Sequence, residues 1–152
     1  MILNKKMILS TVAVVLLISI FWINKPVPKI YLHNQTTKNL YIYTMQSVFN
    51  MEPTSEELQQ LKRIKIIKPN EQLSLSVSAY YSEDTQFFTK WKIGSQSGTG
   101  GYIRTLVNNK NGTCGIDVFI KEDSIEVVDK VAIYCPQKLF ILQKIIGSEV
   151  VD

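Results

Sequence analysis

Residues Phe87–Arg104 read FFTKWKIGSQSGTGGYIR. Phe87, Thr89, Trp91 and Ile93 share one parity; Phe88, Lys90 and Lys92 share the other. That two-residue period, carried by aromatic and β-branched side chains, predicts a strand with one covered face and one open face. The stretch Ile93–Tyr102, IGSQSGTGGY, holds four of the chain's 7 glycines. A phosphate-cradling P-loop needs a lysine after its last glycine, and none follows Gly98 or Gly100. A dinucleotide fingerprint needs its glycines to open a helix, whereas YIRTLV continues as a strand. The segment is therefore expected to be a flexible loop between two strands. Its functional reading is a partner-binding loop, because Trp91 and Tyr102 flank it and Lys90, Lys92 and Arg104 stand close by. Aromatic and arginine side chains are the usual energetic centres of protein interfaces. Trp91 also shares the parity of Phe87 and Ile93, which makes a core position the competing reading.

The same alternation spreads outward in both directions. KIYLHNQT and NLYIYTMQSVF are strand candidates, with Asn-Gln-Thr-Thr as a turn between them. Leu40, Ile42 and Thr44 point one way; Tyr41, Tyr43 and Met45 point the other. Leu73, Leu75, Val77 and Ala79 alternate with serines. Asn111-Gly112 signals a hairpin turn, and KEDS a second one. CGIDVFI places Cys114, Ile116, Val118 and Ile120 on one face. IEVVDKVAIYC does the same for Ile125, Val127, Val131, Ile133 and Cys135, with Asp129 as the exception. KLFILQKII is a last strand or a terminal helix. One segment breaks the period. Thr54 followed by Glu57 is a capping-box pattern, and Leu58 and Leu61 share a helical face, so a short helix is expected over Ser55–Arg63. IKII then starts a strand that Pro69-Asn70 stops. Together these elements predict an all-β fold: a small antiparallel β-sandwich of about seven or eight strands with one short inserted helix. A partly open barrel is the alternative architecture.

The N-terminus carries a different signal. Met7–Ile23 has no charged residue, and as a helix it would be about 25 Å long, at the short end for a bilayer span. Residues 1–23 are therefore expected to be a membrane anchor that contacts the lipid bilayer through residues 7–23. A cleaved signal peptide is the competing reading, but no Ala-x-Ala pattern follows the run. With no cysteine nearby, a lipobox attachment is excluded. Trp22 suits an interfacial position. Lys5 and Lys6 precede the run, and Lys25 and Lys29 follow it. The tighter, earlier cluster favours a cytoplasmic N-terminus and an extracytoplasmic remainder. Residues 24–29, with Pro26 and Pro28, form a semi-rigid linker. Residues 30–152 form the extracytoplasmic domain, most simply on a bacterial inner membrane facing the periplasm. The 152 residues carry 17 basic and 13 acidic side chains, a net +4. Lys5 and Lys6 belong to the anchor, so the remainder is close to neutral. That argues against a nucleic-acid partner.

Two cysteines in such a compartment suggest a disulfide between Cys114 and Cys135, stabilising by about 3 kcal/mol on the chain-entropy view. A geometric difficulty follows. A tight turn at Lys121–Ser124 aligns Ile120 with Ile125 and hence Cys114 with Val131. Cys135 then lies roughly 13 Å further along a straight strand, where a disulfide needs Cα atoms about 5.5 Å apart. Either the strand bends near Asp129-Lys130, or Cys135 crosses to the other layer, or the bond is absent.

Catalytic chemistry is poorly served. The single histidine, His33, is expected to be an exposed turn residue. Glu83 and Asp84, like Glu122 and Asp123, fall in turn segments that are ordinarily solvated. No HExxH, EF-hand or GxSxG pattern occurs. The expectation is a protein that is not an enzyme and takes no metal and no cofactor. Tyr31, Tyr41, Tyr43, Tyr80 and Tyr81 suggest a sugar- or peptide-binding surface, or semi-buried strand positions. Asn34-Gln-Thr36 and Asn111-Gly-Thr113 match the glycosylation pattern. These readings converge on a membrane-anchored extracytoplasmic domain that works by binding a protein. A toxin enzyme neutralised by an immunity protein is one such pairing; a subunit of a cell-envelope secretion or pilus assembly is the other. The candidate contact residues are Tyr80, Tyr81, Glu83 and Asp84 in one loop. Around the glycine segment they are Lys92, Ser95, Gln96, Ser97, Thr99, Tyr102 and Arg104.

Overall fold

Alternation of apolar and polar positions has a direct structural consequence: each such stretch forms a strand that buries one parity. The structure, a computed structural model, describes residues 5–23, 27–48, 54–56, 64–77, 85–108, 110–132 and 135–146. They contain a helix, α1 (Lys5–Ile23), and nine strands: β1 (Lys29–Asn34), β2 (Leu40–Val48), β3 (Lys65–Ile67), β4 (Gln72–Ser76), β5 (Thr85–Ile93), β6 (Gly100–Asn108), β7 (Gly115–Ile120), β8 (Ile125–Lys130) and β9 (Lys138–Ile146). The protein is thus mostly β, in two sheets. One has four strands in the order β4-β1-β7-β8, the other five in the order β3-β2-β5-β6-β9.

Both sheets feed one hydrophobic core. Ile30, Leu32, Leu75, Ile116, Val118 and Ile120 come from the first; Leu40, Ile42, Phe87, Trp91, Ile103, Val107 and Leu139 come from the second. Each fully buried aliphatic side chain stabilises by about 1.5–3 kcal/mol relative to exposure. Trp91, at 1 % exposure, belongs to this core and not to a surface.

The Gly-rich segment is the hairpin loop between β5 and β6. Ile93 N donates to Thr99 O at 2.8 Å, and Gly98 N to Ser95 O at 3.1 Å. Gly94 has φ +79°, a left-handed conformation that favours glycine. Gly101 is required for a different reason: a Cβ there would sit 2.7 Å from Trp91 Cζ2 and 2.4 Å from Ile145 O. The glycines after the turn make room for the tryptophan beneath them.

Several expectations are corrected. The sandwich was expected to be antiparallel throughout, yet β1 and β7 pair in parallel, Ile30 opposite Ile116 and Leu32 opposite Val118. A parallel pair needs a long connection, and here β2, β3, β4, β5 and β6 all intervene. Asn111-Gly112 turns the chain, with Gly112 at φ +117°, but it joins strands of different sheets and makes no hairpin. The apolar face expected from Ile125 to Cys135 ends early. Ile125 and Val127 pack on the core, but β8 stops at Lys130 and Val131 is 95 % exposed. The KEDS hairpin does form, pairing Ile120 with Ile125, and Lys121 N donates to Ser124 O at 2.9 Å. The strand reading of KLFILQKII holds as β9. Of the helix expected over Ser55–Arg63, Ser55 and Glu56 are helical and the rest lies outside the described residues.

Among the described residues no helix is long and apolar enough to cross a membrane. On α1, Val12, Val14, Val15, Leu16, Leu17 and Ile18 are all more than half exposed.

The β1–β2 corner, where the chain passes between sheets, is held by a buried asparagine. Asn34 Nδ2 donates to Lys38 O at 2.8 Å and to Ile67 O at 3.0 Å. Its Oδ1 accepts from Thr36 N at 3.0 Å and Thr36 Oγ1 at 2.8 Å. The glycosylation pattern at Asn34 therefore falls on an amide enclosed in the fold, 1 % exposed.

Candidate binding face

The outer face of the five-stranded sheet is built from the parity opposite Trp91. Cross-strand pairing places Tyr41 beside Lys92, Tyr43 beside Lys90, and Met45 beside Phe88. One strand further, Lys90 faces Tyr102, Phe88 faces Arg104, and Gln86 faces Leu106. β9 adds Ile145 beside Tyr102 and Gln143 beside Arg104. β3 adds Ile66 beside Tyr41, at 57 % exposure. The result is a continuous surface of aromatic, aliphatic and cationic side chains.

Charge is sorted between the two sheets. Strands β2, β3, β5, β6 and β9 contain no aspartate or glutamate, while they carry Lys65, Lys90, Lys92, Arg104, Lys138 and Lys144. The four-stranded sheet holds Asp117, Glu126 and Asp129 within its strands. Among the described residues the outer face thus carries Lys90, Lys92 and Arg104 and no acid, and like-charged neighbours there raise the local potential.

Local contacts stiffen this face. Arg104 Nε donates to Gln86 Oε1 at 2.8 Å and Arg104 Nη2 donates to the same oxygen at 2.5 Å. Gln86 Nε2 in turn donates to Ser47 Oγ at 2.7 Å. That chain fixes the guanidinium across three strands. The Phe88 and Tyr102 rings lie 5.1 Å apart and tilted by 34°. Burial pushes the Tyr43 phenol above its ordinary value, with Tyr41 adding to the shift, so Tyr43 stays neutral at physiological pH. A side chain already held in its rotamer loses less entropy on binding.

Of the residues expected to contact a partner, Lys92, Tyr102 and Arg104 meet on this face. Ser95, Gln96, Ser97 and Thr99 form the hairpin loop at one end of it, mostly exposed. Ser95 and Ser97 hydroxyls lie 3.2 Å apart. Tyr80, Tyr81, Glu83 and Asp84 lie outside the described residues. Tyr41 and Tyr43 share the face, whereas Tyr31 belongs to the other sheet. Phe88, Ile66 and Leu106 were missed, because alternation alone does not say which open faces adjoin.

A second cluster occupies the outer side of the four-stranded sheet. His33 Nε2 and Asp117 Oδ1 are 2.6 Å apart, and Lys130 Nζ lies 3.1 Å from Asp117 Oδ2. The His33 ring stacks on Phe119 at 4.5 Å, and Lys130 Nζ sits 3.7 Å over the Tyr31 ring. His33 is thus a half-buried strand residue and not the exposed turn residue expected. Its carboxylate partner is 84 positions away, which no local motif reveals. Burial raises the Asp117 pKa, but the His33 and Lys130 hydrogen bonds and charges outweigh it, and the carboxyl ends below its ordinary range. Both Asp117 oxygens are engaged, so the cluster ties β1, β7 and β8 together. An open pocket of about 240 Å³ lies beside it, lined by His33, Asn34, Gln35, Asn70, Glu71 and Gln72. That is smaller than the roughly 300–1,000 Å³ of ordinary small-molecule sites. Among the described residues no three His, Cys, Asp or Glu side chains gather to hold a metal ion.

Cys114 and Cys135 are free thiols in the structure, both half-buried and neighbours of one another. No family model, curated protein or solved structure matches the chain.

Proposed function

We propose that the chain is a membrane-anchored extracytoplasmic β-sandwich that works by binding an acidic protein through the outer face of its five-stranded sheet. The observation that carries this reading is the surface of Tyr41, Tyr43, Phe88, Lys90, Lys92, Tyr102 and Arg104, which has no acid among the described residues. β2, β5, β6 and β9 are 9 residues each, so the face is about 30 Å long and roughly 15–20 Å wide. Its area, on the order of 600 Å², approaches the roughly 800 Å² that each partner buries in an ordinary interface. The Ser95–Thr99 loop extends it at one end. Rigid aromatic anchors beside cations are the composition of interface hot spots.

Anchorage rests on the sequence of residues 1–23, with the apolar run Met7–Ile23 crossing the membrane, the Pro-containing linker 24–29 holding the domain close to it, and the domain in the periplasm. A binder in that place suits an immunity protein: it covers the active site of an incoming toxin enzyme and performs no chemistry itself. Acidic patches on such an enzyme are complementary to this face, and the fields steer the encounter.

The test is capture of envelope and secreted proteins by the full chain, beside a Lys90→Glu/Lys92→Glu variant. The expected result is 1:1 retention of a soluble acidic enzyme whose activity falls on binding, lost in the variant. Retention that survives charge reversal overturns the role of this face. Capture that needs only residues 7–23 supports an envelope-assembly subunit instead. Binding to anionic vesicles without any protein capture moves the basic face to the lipid surface.

A further inference from the structure

We propose that Cys114 and Cys135 close into a disulfide that clasps the two sheets where the chain crosses from one to the other. The register between β7 and β8 ends with Gly115 opposite Lys130, so the next position places Cys114 opposite Val131. There β8 stops, and the chain leaves the four-stranded sheet. By Leu139 it has entered β9 of the five-stranded sheet, yet it has come back to the same spot. Thr113 N donates to Leu139 O at 2.9 Å, and Leu139 N donates to Thr113 O at 2.7 Å.

The chain thus leaves β8 after Lys130, opposite Gly115, and re-enters a strand at Lys138, one residue before the partner of Thr113. Cys135 lies between those two points, beside Cys114. The two thiols are neighbours, Cys114 Sγ reaches toward Ala132 O at 4.0 Å, and Cys135 Sγ donates to Gln137 O. Thr113 pins the connection's base from the other side: its hydroxyl donates to Lys130 O at 2.7 Å and also lies 3.0 Å from Gly115 O. The offset of four residues along a straight strand, which separates the cysteines by roughly 13 Å in a simple hairpin, is removed by the crossover.

The oxidant is a disulfide, of a small thiol such as glutathione or of a dithiol-disulfide protein. Burial, with Cys114 adding, pushes the Cys135 thiol up to about 12, so Cys135 stays protonated at neutral pH and the exchange begins at Cys114. The Cys114 thiolate attacks the oxidant's disulfide, forming a mixed disulfide and releasing one thiol. Cys135 then gives up its proton, and its sulfur attacks Cys114 Sγ, releasing the second thiol. Two protein thiols lose two electrons and two protons, and one oxidant disulfide becomes two thiols. The clasp depends on the fold and on an oxidising medium and is independent of which partner the outer face binds.

The experiment uses the full chain in detergent, equilibrated with oxidised or reduced glutathione, then unfolded, alkylated and weighed. In oxidised glutathione the expected product is a monomer with no alkylated cysteine and a reducible link between the peptides bearing Cys114 and Cys135. Its melting temperature should exceed that of the reduced chain by about 10 °C. Cys114→Ala and Cys135→Ala should each abolish the difference. Two alkylated thiols after exposure to oxidised glutathione, or only glutathione adducts and intermolecular dimers, would overturn the proposal. The mass measurement on the unmutated chain decides this even if a variant fails to fold.

Discussion

Thr89 is the buried side chain in least agreement with its surroundings. It is fully buried in the middle of β5, and its Oγ1 has no hydrogen-bond partner among the described residues. A buried hydroxyl without a partner costs about 1–3 kcal/mol. Valine has the same shape without the hydroxyl, so Thr89→Val should stabilise the domain by about 1 kcal/mol and raise its melting temperature. A lower melting temperature would show that the hydroxyl is satisfied. Asp117 makes the opposite case, a polar group that is well matched. Its folded pKa lies below the ordinary value, so its contribution to stability is present above that ordinary value and is lost as pH falls through the folded one. Asp117→Asn should therefore lower stability at neutral pH and flatten the loss of stability with acid. An acid unfolding midpoint unchanged in the variant would remove Asp117 from the account. The sequence shows Asp117 as a polar residue inside an apolar strand. It does not show that His33 and Lys130 converge on it, because all three are brought together by pairing between separate strands.

Among the elements, the β5–β6 hairpin shows how far a local pattern carries. Its strands, its loop and the core parity of Trp91 follow from two-residue alternation and glycine content, both of which act over a few residues. The reason for Gly101 lies elsewhere: the Trp91 ring below it and Ile145 of β9 beside it. Gly101→Ala should destabilise by about 2–4 kcal/mol, since neither a ring in the core nor a paired backbone can give way. Trp91→Ala should cost about 3–5 kcal/mol. If the spacing argument is right, Gly101→Ala in the Trp91→Ala background should cost less than in the native chain. Strict additivity in that double-mutant cycle would assign the glycine to the backbone contact with Ile145 alone.

Across the whole molecule, the sorting of charge between two sheets has the clearest functional consequence. Binding through a face with cations and no acids should weaken as salt rises, mainly through a slower on-rate. Partner affinity measured at roughly 50 mM and 500 mM salt should fall by about tenfold or more in the native chain. It should change much less in Lys90→Glu/Lys92→Glu. An affinity independent of salt would leave the aromatic residues as the only source of binding. The loop and the face also separate experimentally, since Gln96→Ala alters the hairpin tip without touching Lys90, Lys92 or Tyr102.

The sequence by itself determined that the domain is mostly β, roughly where most strands lie, and which parity is apolar in most of them. Those properties follow from short-range sterics and from the two-residue period of the pleat. Only the tertiary structure decided that β1 pairs in parallel with β7, that Asn111-Gly112 joins different sheets, and that Cys135 returns to Cys114. It alone brought Lys92, Tyr102 and Arg104 onto one surface with Tyr41, Tyr43 and Phe88. Strand order depends on how two apolar faces close over a single core, a condition met by the whole chain at once and encoded in no single segment.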